Sequence, residues 1–153
     1  MRALFWGPCL GAALGFSLSA DAQPVLTVTT DTEELGTIPM PEGQDICLRW
    51  RHSVTGGKVA DCFANRAGQL MLTRSYLHDF AAGLGEVEGR GTLTPAPGGG
   101  YWITDMDEPL SENSLKLRIG SERVGHILYA GDTVLPLSTL APGARASLTL
   151  RAD

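Results

Sequence analysis

From residue 23 onward, apolar and polar positions alternate with period two. Leu48, Trp50 and His52 fall on one side of a run, and Cys47, Arg49 and Arg51 on the other. Leu115, Leu117 and Ile119 alternate with Lys116 and Arg118, and Leu148 and Leu150 alternate with Ser147, Thr149 and Arg151. Successive side chains of a strand point to opposite faces, so this pattern predicts half-buried strands. Further strands are predicted near 25–30, 58–66, 69–78, 100–104, 124–130 and 133–137. Glycine- and proline-rich turn signals separate them at 39–43, 55–57, 67–68, 95–100, 130–132 and 141–143. No stretch shows the 3.6-residue period of an amphipathic helix over three turns. About eight or nine short strands joined by such turns predict an all-β domain, an antiparallel sandwich or a partly open barrel. Residues 81–98 carry Glu86, Glu88 and Arg90 among Gly, Ala and Pro and lack a period, which marks a functional or flexible loop.

The first 22 residues follow a different logic. Met1-Arg2 begins with one positive charge, residues 3–18 carry none and are mostly apolar, and Ala20-Asp21-Ala22 has small residues at both ends. These are the three parts of a secretory signal peptide. A membrane-spanning helix needs roughly 20 predominantly apolar residues, and Gly7, Pro8, Gly11 and Gly15 interrupt this run. Trp6-Gly7-Pro8 before Cys9 do not suit a lipoprotein site. The expectation is therefore cleavage after Ala22, leaving a single all-β domain, 23–153, in the periplasm or outside the cell. No later segment is apolar enough to span a bilayer, so no stable membrane insertion is expected after cleavage.

Charge narrows the partners. The chain has 12 Lys+Arg and 17 Asp+Glu, a formal net charge of −5. That balance argues against a nucleic-acid partner, which needs a basic face against phosphate, and against adhesion to anionic lipid. The acidic clusters at 31–34 and 105–108 lack the longer ligand pattern of a calcium loop and read as solvated turns. Gly83-Leu84-Gly85 and Gly98-Gly99-Gly100 lack the strand–loop–helix setting of a phosphate cradle and read as backbone devices. No cofactor is implied.

Two cysteines, Cys47 and Cys62, lie beyond the signal. In an oxidising compartment such a pair is a disulfide candidate. A hairpin turning at Gly56-Gly57 sets Cys62 opposite Arg51. Cys47 then lies about 13 Å away along the strand, beyond the roughly 7 Å that a bridge tolerates between Cα atoms. A disulfide and two buried thiols both stay open.

The densest candidate chemistry is Trp50-Arg51-His52-Ser53-Val54, followed by Asp61. The same hairpin puts His52 opposite Asp61, on the face shared with Trp50 and Phe63. A carboxylate beside an imidazole favours the charged ring and orients it. The pair then braces the hairpin or serves a ligand site. A Ser-His-Asp nucleophile fits poorly, because Ser53 follows His52 and points to the opposite face. His126, in Val124-Gly-His-Ile-Leu-Tyr129, completes a two-His-one-carboxylate metal set only if it meets His52 and Asp61 in space. The sequence nominates no catalytic set and no spacing that demands a metal.

One set of motifs adds a resemblance. In order they are Trp50-x-His52-Ser53-Val54, Asp61, Leu70-x-Leu72, Ala82-Gly83-Leu84-Gly85, Trp102-x-x-Asp105, Leu115-x-Leu117-Arg118-Ile119-Gly120, His126-x-Leu128, Gly131-Asp132 and Pro136-Leu137. Across roughly 45–151 the chain resembles DUF1850, a family of small exported bacterial proteins of unknown function, often encoded beside TAXI-type TRAP transporters. Asp61 and Ala82-Gly83-Leu84-Gly85 stand where the family pattern reads Glu and Gly-Ala-Gly. The resemblance implies a periplasmic accessory protein that meets a TRAP permease, its solute-binding protein or its solute. Trp50, His52, Ser53, Asp61, Gly83, Gly85 and His126 are the candidate binding residues. The alternatives are a small-molecule or metal-binding β-domain independent of transport, and a hydrolase using His52 as base.

Overall fold

The computed structural model describes residues 23–79 and 89–151. The expected signal peptide and the candidates Gly83 and Gly85 lie outside them. The described chain is all-β, built from twelve strands in two antiparallel sheets. Strands β1 (Val25–Thr30), β2 (Glu34–Pro39), β9 (Ser114–Arg118) and β12 (Arg145–Arg151) form the smaller sheet, in the order β2-β1-β12-β9. The larger sheet runs β11-β10-β3-β4-β5-β7-β6, with the two-residue β8 (Glu108–Pro109) pairing β5. Its other strands are β3 (Asp45–Arg51), β4 (Lys58–Arg66), β5 (Gln69–Leu77), β6 (Thr92–Pro95), β7 (Tyr101–Thr104), β10 (Ile127–Ala130) and β11 (Thr133–Leu135). A single helical turn, α1 (Leu137–Leu140), precedes β12.

The strands predicted from alternation are present. The additional ones, β2, β6 and β8, are short or lack clean alternation. Gly36 breaks the apolar pattern of β2 between Leu35 and Ile38, and β6 is Thr-Leu-Thr-Pro with one partly buried side chain, Leu93.

The two sheets face each other across one core. Leu26, Val28 and Ile38 meet Ala146, Leu148 and Leu150 within the smaller sheet, and all pack against Ile46, Leu48, Phe63, Leu70 and Leu128 of the larger one. These are the inward positions of the period-two pattern, and their burial drives the closure of the sandwich. Leu137 of α1 is fully buried in the same core.

The hairpin β3–β4 corrects the sequence reading. Its register pairs Arg51 with Lys58, Trp50 with Val59, Leu48 with Asp61 and Cys47 with Cys62. The connection is residues 52–57, not a tight turn at Gly56-Gly57. The longer loop makes its own hydrogen bonds. His52 N–H donates to Gly57 O (2.8 Å), Gly56 N–H donates to His52 O (2.9 Å), and Thr55 Oγ1 accepts from Gly57 N–H (3.2 Å). The register slides by an even number of residues, so every side chain keeps its predicted face while changing its partner. Asp61 therefore stays on the face of Trp50 and Phe63 but lies opposite Leu48, not His52.

The slide also decides the cysteines. Cys47 and Cys62 are direct cross-strand partners with Cα atoms 4.0 Å apart, and their sulfurs are bonded. The bridge lies on the outer face of the larger sheet.

A bulge at the next strand pair preserves the inner face. Cys62 pairs with Arg74 and Phe63 with Leu72, leaving Thr73 as the extra residue. Its hydroxyl donates to Cys62 O at 3.1 Å. Without that extra residue, Leu72 and Ser75 could not both face the core.

Closing the loop of sequence separation 15 between the cysteines restricts the unfolded chain, an effect worth about 3 kcal/mol for a loop of that size. A C47A/C62A variant is expected to unfold at lower denaturant by that order, and a reductant should lower the parent midpoint toward the variant's. Equal midpoints for the parent with and without reductant would contradict the bridge's stabilising role.

Candidate functional site

The inner face of β4 carries one charged residue. Asp61 sits between Leu48 of β3 and Ser75 of β5, with Val59 and Phe63 as its same-face neighbours along the strand. The Ser75 hydroxyl donates to Asp61 Oδ1 at 2.6 Å. Burial pushes the Asp61 carboxyl above its ordinary pKa, against smaller lowering effects from the Ser75 hydrogen bond and from Arg90. Arg90 holds Glu108 in a two-point ion pair, with Nη2 to Oε2 at 3.0 Å. The hydrogen bond from Arg90 draws the Glu108 carboxyl below its ordinary value. Asp61, Ser75, Arg90, Trp50, Leu77 and Ile103 line a cavity of about 90 Å³, enough for water.

Trp50 is the wall between this cavity and His126, whose ring centroid lies 5.6 Å from the indole's. His126 is held from several sides. Its Nδ1 accepts from Gly120 N–H at 2.9 Å, and the His126 backbone N–H donates to Ser138 Oγ at 2.8 Å. Ser138 in turn donates to Gly120 O at 2.9 Å. Burial lowers the His126 pKa, which keeps the ring neutral with its proton on Nε2. The ring thus pins the loop at 120–126, and the His126 backbone together with the Ser138 hydroxyl ties that loop to α1.

His52 stands apart from both. Its Nδ1 accepts from the N–H groups of Val54 (3.4 Å) and Thr55 (3.3 Å) inside the hairpin loop. It lines a separate cleft with Ser53, Arg123 and Val124. His52, Asp61 and His126 therefore do not converge. The expected His52–Asp61 pair is absent because Asp61 is occupied by Ser75 and lies opposite Leu48. The Ser53 hydroxyl is not hydrogen-bonded to His52. Among the described residues, no group of three or more His, Cys, Asp and Glu is placed to hold a metal ion.

A second surface was not nominated by the sequence. On the outer face of the larger sheet, the disulfide is flanked by Tyr129 of β10, opposite Cys47, and by Arg74 of β5, opposite Cys62. The next cross-strand row is Arg49, Ala60, Tyr76 and Trp102. Arg51 and Lys58 follow at the hairpin end. The Arg49 guanidinium lies 4.7 Å from the Tyr129 ring centroid, and Arg74 lies 5.3 Å from that of Trp102. Tyr76 and Trp102 are 5.3 Å apart. The loop between β6 and β7 closes one side. Tyr76 OH donates to Gly99 O at 2.9 Å, and a Cβ on Gly100 (φ +78°) would stand 2.5 Å from that hydroxyl. Only glycine allows both the backbone angle and the approach. The result is an open groove of about 520 Å³.

Arg49, Arg51, Lys58, Tyr76, Trp102 and Tyr129 come to this groove from five different strands. What gathers them is the strand order, which sets β10 and β7 on opposite flanks of the β3–β5 meander. Alternation along single strands carries no information about that order.

Residues 46–137 match the family described as Domain of unknown function (DUF1850). The chain belongs to that family. The match runs from β3 to the first residue of α1, so it holds the whole outer-face groove and the Asp61 cavity. It leaves out β1, β2 and β12 of the smaller sheet. No curated protein and no solved structure matches this DUF1850 chain significantly.

The raised pKa of Asp61 sets a sign for stability. A carboxyl whose folded pKa lies above its unfolded one favours folding most when protonated, and that contribution is lost as pH rises through the folded value. Asp61→Asn retains an acceptor for Ser75 and removes the buried charge. The variant is expected to melt a few degrees above the parent at pH 7.5, on the order of 1 kcal/mol, with the gap closing toward pH 4. A lower melting temperature at pH 7.5, or a gap that widens in acid, would contradict this account of Asp61.

Proposed function

We propose that this DUF1850 protein is an exported accessory domain that works by binding, in association with a TRAP-type solute transporter. The observation that carries the binding reading is the outer-face groove. A chain of net charge −5 gathers Arg49, Arg51 and Lys58 beside Tyr76, Trp102 and Tyr129 on one face. No salt bridge joins those three cations to a carboxylate among the described residues.

Two features support the location. The signal-like residues 1–22 would direct the chain out of the cytoplasm, and a disulfide between Cys47 and Cys62 suits an oxidising compartment. The transporter link is drawn from the family resemblance and its gene neighbourhood, an associational ground.

The geometry weighs against the hydrolase alternative. His52 accepts two backbone N–H groups through Nδ1 and has neither Ser53 nor Asp61 as a partner. Ser75 donates to Asp61, and a hydroxyl bonded to a carboxylate without an imidazole is not an activated nucleophile.

Affinity capture tests the association. Tagged protein from the periplasm of the producing bacterium is used as bait against a periplasm-plus-membrane extract, with the tag alone as control. The TRAP permease or its solute-binding protein is expected among the enriched proteins. Recovery of the protein from the cytoplasm with its first 22 residues intact, or an extract in which no transport component is enriched over the tag, would overturn the proposal.

A further inference from the structure

We propose that the outer-face groove binds a small organic anion: a carboxylate carried on a flat, unsaturated or aromatic body. The inference rests on the binding reading of this face and is independent of the transporter association.

The first ground is a like-charge pair. Arg51 and Lys58 are direct cross-strand partners at the hairpin end. Like charges in such a pair repel and destabilise a sheet. Arg49 adds a third cation one position along the same face. Opposite charges are available elsewhere on this surface and are used there: Asp45 pairs with Arg74 at 2.9 Å at the other end of the hairpin. Arg51 and Lys58 have no such partner among the described residues. A bound carboxylate between them would relieve the repulsion and gain charge-assisted hydrogen bonds.

The second ground is the shape and chemistry of the rest of the groove. Ala60 provides a low floor between two aromatic walls, Tyr76 with Trp102 on one side and Tyr129 on the other. The Tyr76 ring is held by its hydroxyl to Gly99 O, and the Tyr129 ring is capped by Arg49. Fixed rings of this kind favour a flat body that can stack. A volume of about 520 Å³ falls in the range of metabolite sites. The floor is also stiff, because the Cys47–Cys62 bond crosses the same two strands one row away.

The chemistry separates this groove from the other large concavity. That one, about 620 Å³, lies on the smaller sheet beside Lys116, Arg118 and Arg145. It has no aromatic lining, and Asp31 stands within it.

The test is a ¹⁵N–¹H NMR titration of the exported protein with benzoate, its uncharged analogue benzamide, and acetate. Benzoate is expected to bind saturably, with a Kd in the millimolar range or tighter. It should move the Trp102 indole N–H and the backbone amides of Arg49, Ala60 and Gly125. Benzamide and acetate should each bind about tenfold more weakly or worse, since each lacks one of the two recognised parts. Lys58→Gln should weaken benzoate by about tenfold while raising the melting temperature of the free protein, because the pair Arg51/Lys58 no longer repels. Arg51→Gln should do the same. No saturable shift with benzoate, equal binding of benzamide, or unchanged affinity in both variants would overturn the proposal. Benzoate binding without capture of any transport component would leave the ligand class standing and remove the transporter.

Discussion

The direct opposition of Cys47 and Cys62 sets the register of β3 against β4, and that register distributes the chemistry of the larger sheet. Inward, it places Asp61 beside Leu48 and next to Ser75 of β5. Outward, it stacks the disulfide, the row of Arg49 and Ala60, and the pair Arg51/Lys58. A slip of β4 by one residue would turn Asp61 out and bring Cys62 and Lys58 toward the core. The covalent bond makes such a slip impossible while it is intact. The bulge at Cys62/Phe63 then carries the same face assignment into β5, so that Ser75 reaches Asp61 while Tyr76 reaches the groove.

The two faces spend stability in different ways. On the inner face a carboxyl is buried with one hydroxyl partner and a raised pKa, where an apolar or amide side chain would fold more readily. On the outer face two cations oppose each other across the hairpin. Strand propensity and packing account for neither. Residues that oppose the stability of their own fold are often found at functional sites. The Asp61 cavity and the groove are back to back across β3–β5, with Trp50 and Val59 lining both.

Much of the fold was legible in the sequence, and the reason is specific. Alternation in 47–52, 115–119 and 147–151 reports which side chains face inward, and it predicted those strands and their faces; β4 is buried on both faces and β5 carries a bulge, so their faces follow from pairing instead. Alternation does not report register, because a shift by an even number of residues leaves the pattern unchanged. The reading of Gly56-Gly57 as a tight turn was wrong for that reason. The signal that could have corrected it was in hand: a bond between Cys47 and Cys62 requires a six-residue loop, and His52 and Thr55 are residues whose side chains can satisfy that loop's N–H groups. The site was less legible. Asp61 and Trp50 do meet at one cavity, and His126 packs on Trp50. His52 is bound up in its own loop. The groove was not foreseen, since Tyr76, Trp102 and Tyr129 come from three strands whose adjacency no local pattern encodes.

The most direct test of this account is disulfide mapping of the protein as it occurs outside the cytoplasm. Cells are quenched with an alkylating reagent at harvest, and the unreduced protein is digested and analysed by mass spectrometry. The account predicts one cross-linked species joining the peptides that contain Cys47 and Cys62, and no alkylated thiol at either position. Alkylated, unlinked Cys47 and Cys62 in the exported protein would contradict the bridge and, with it, the stiffness assigned to the groove floor.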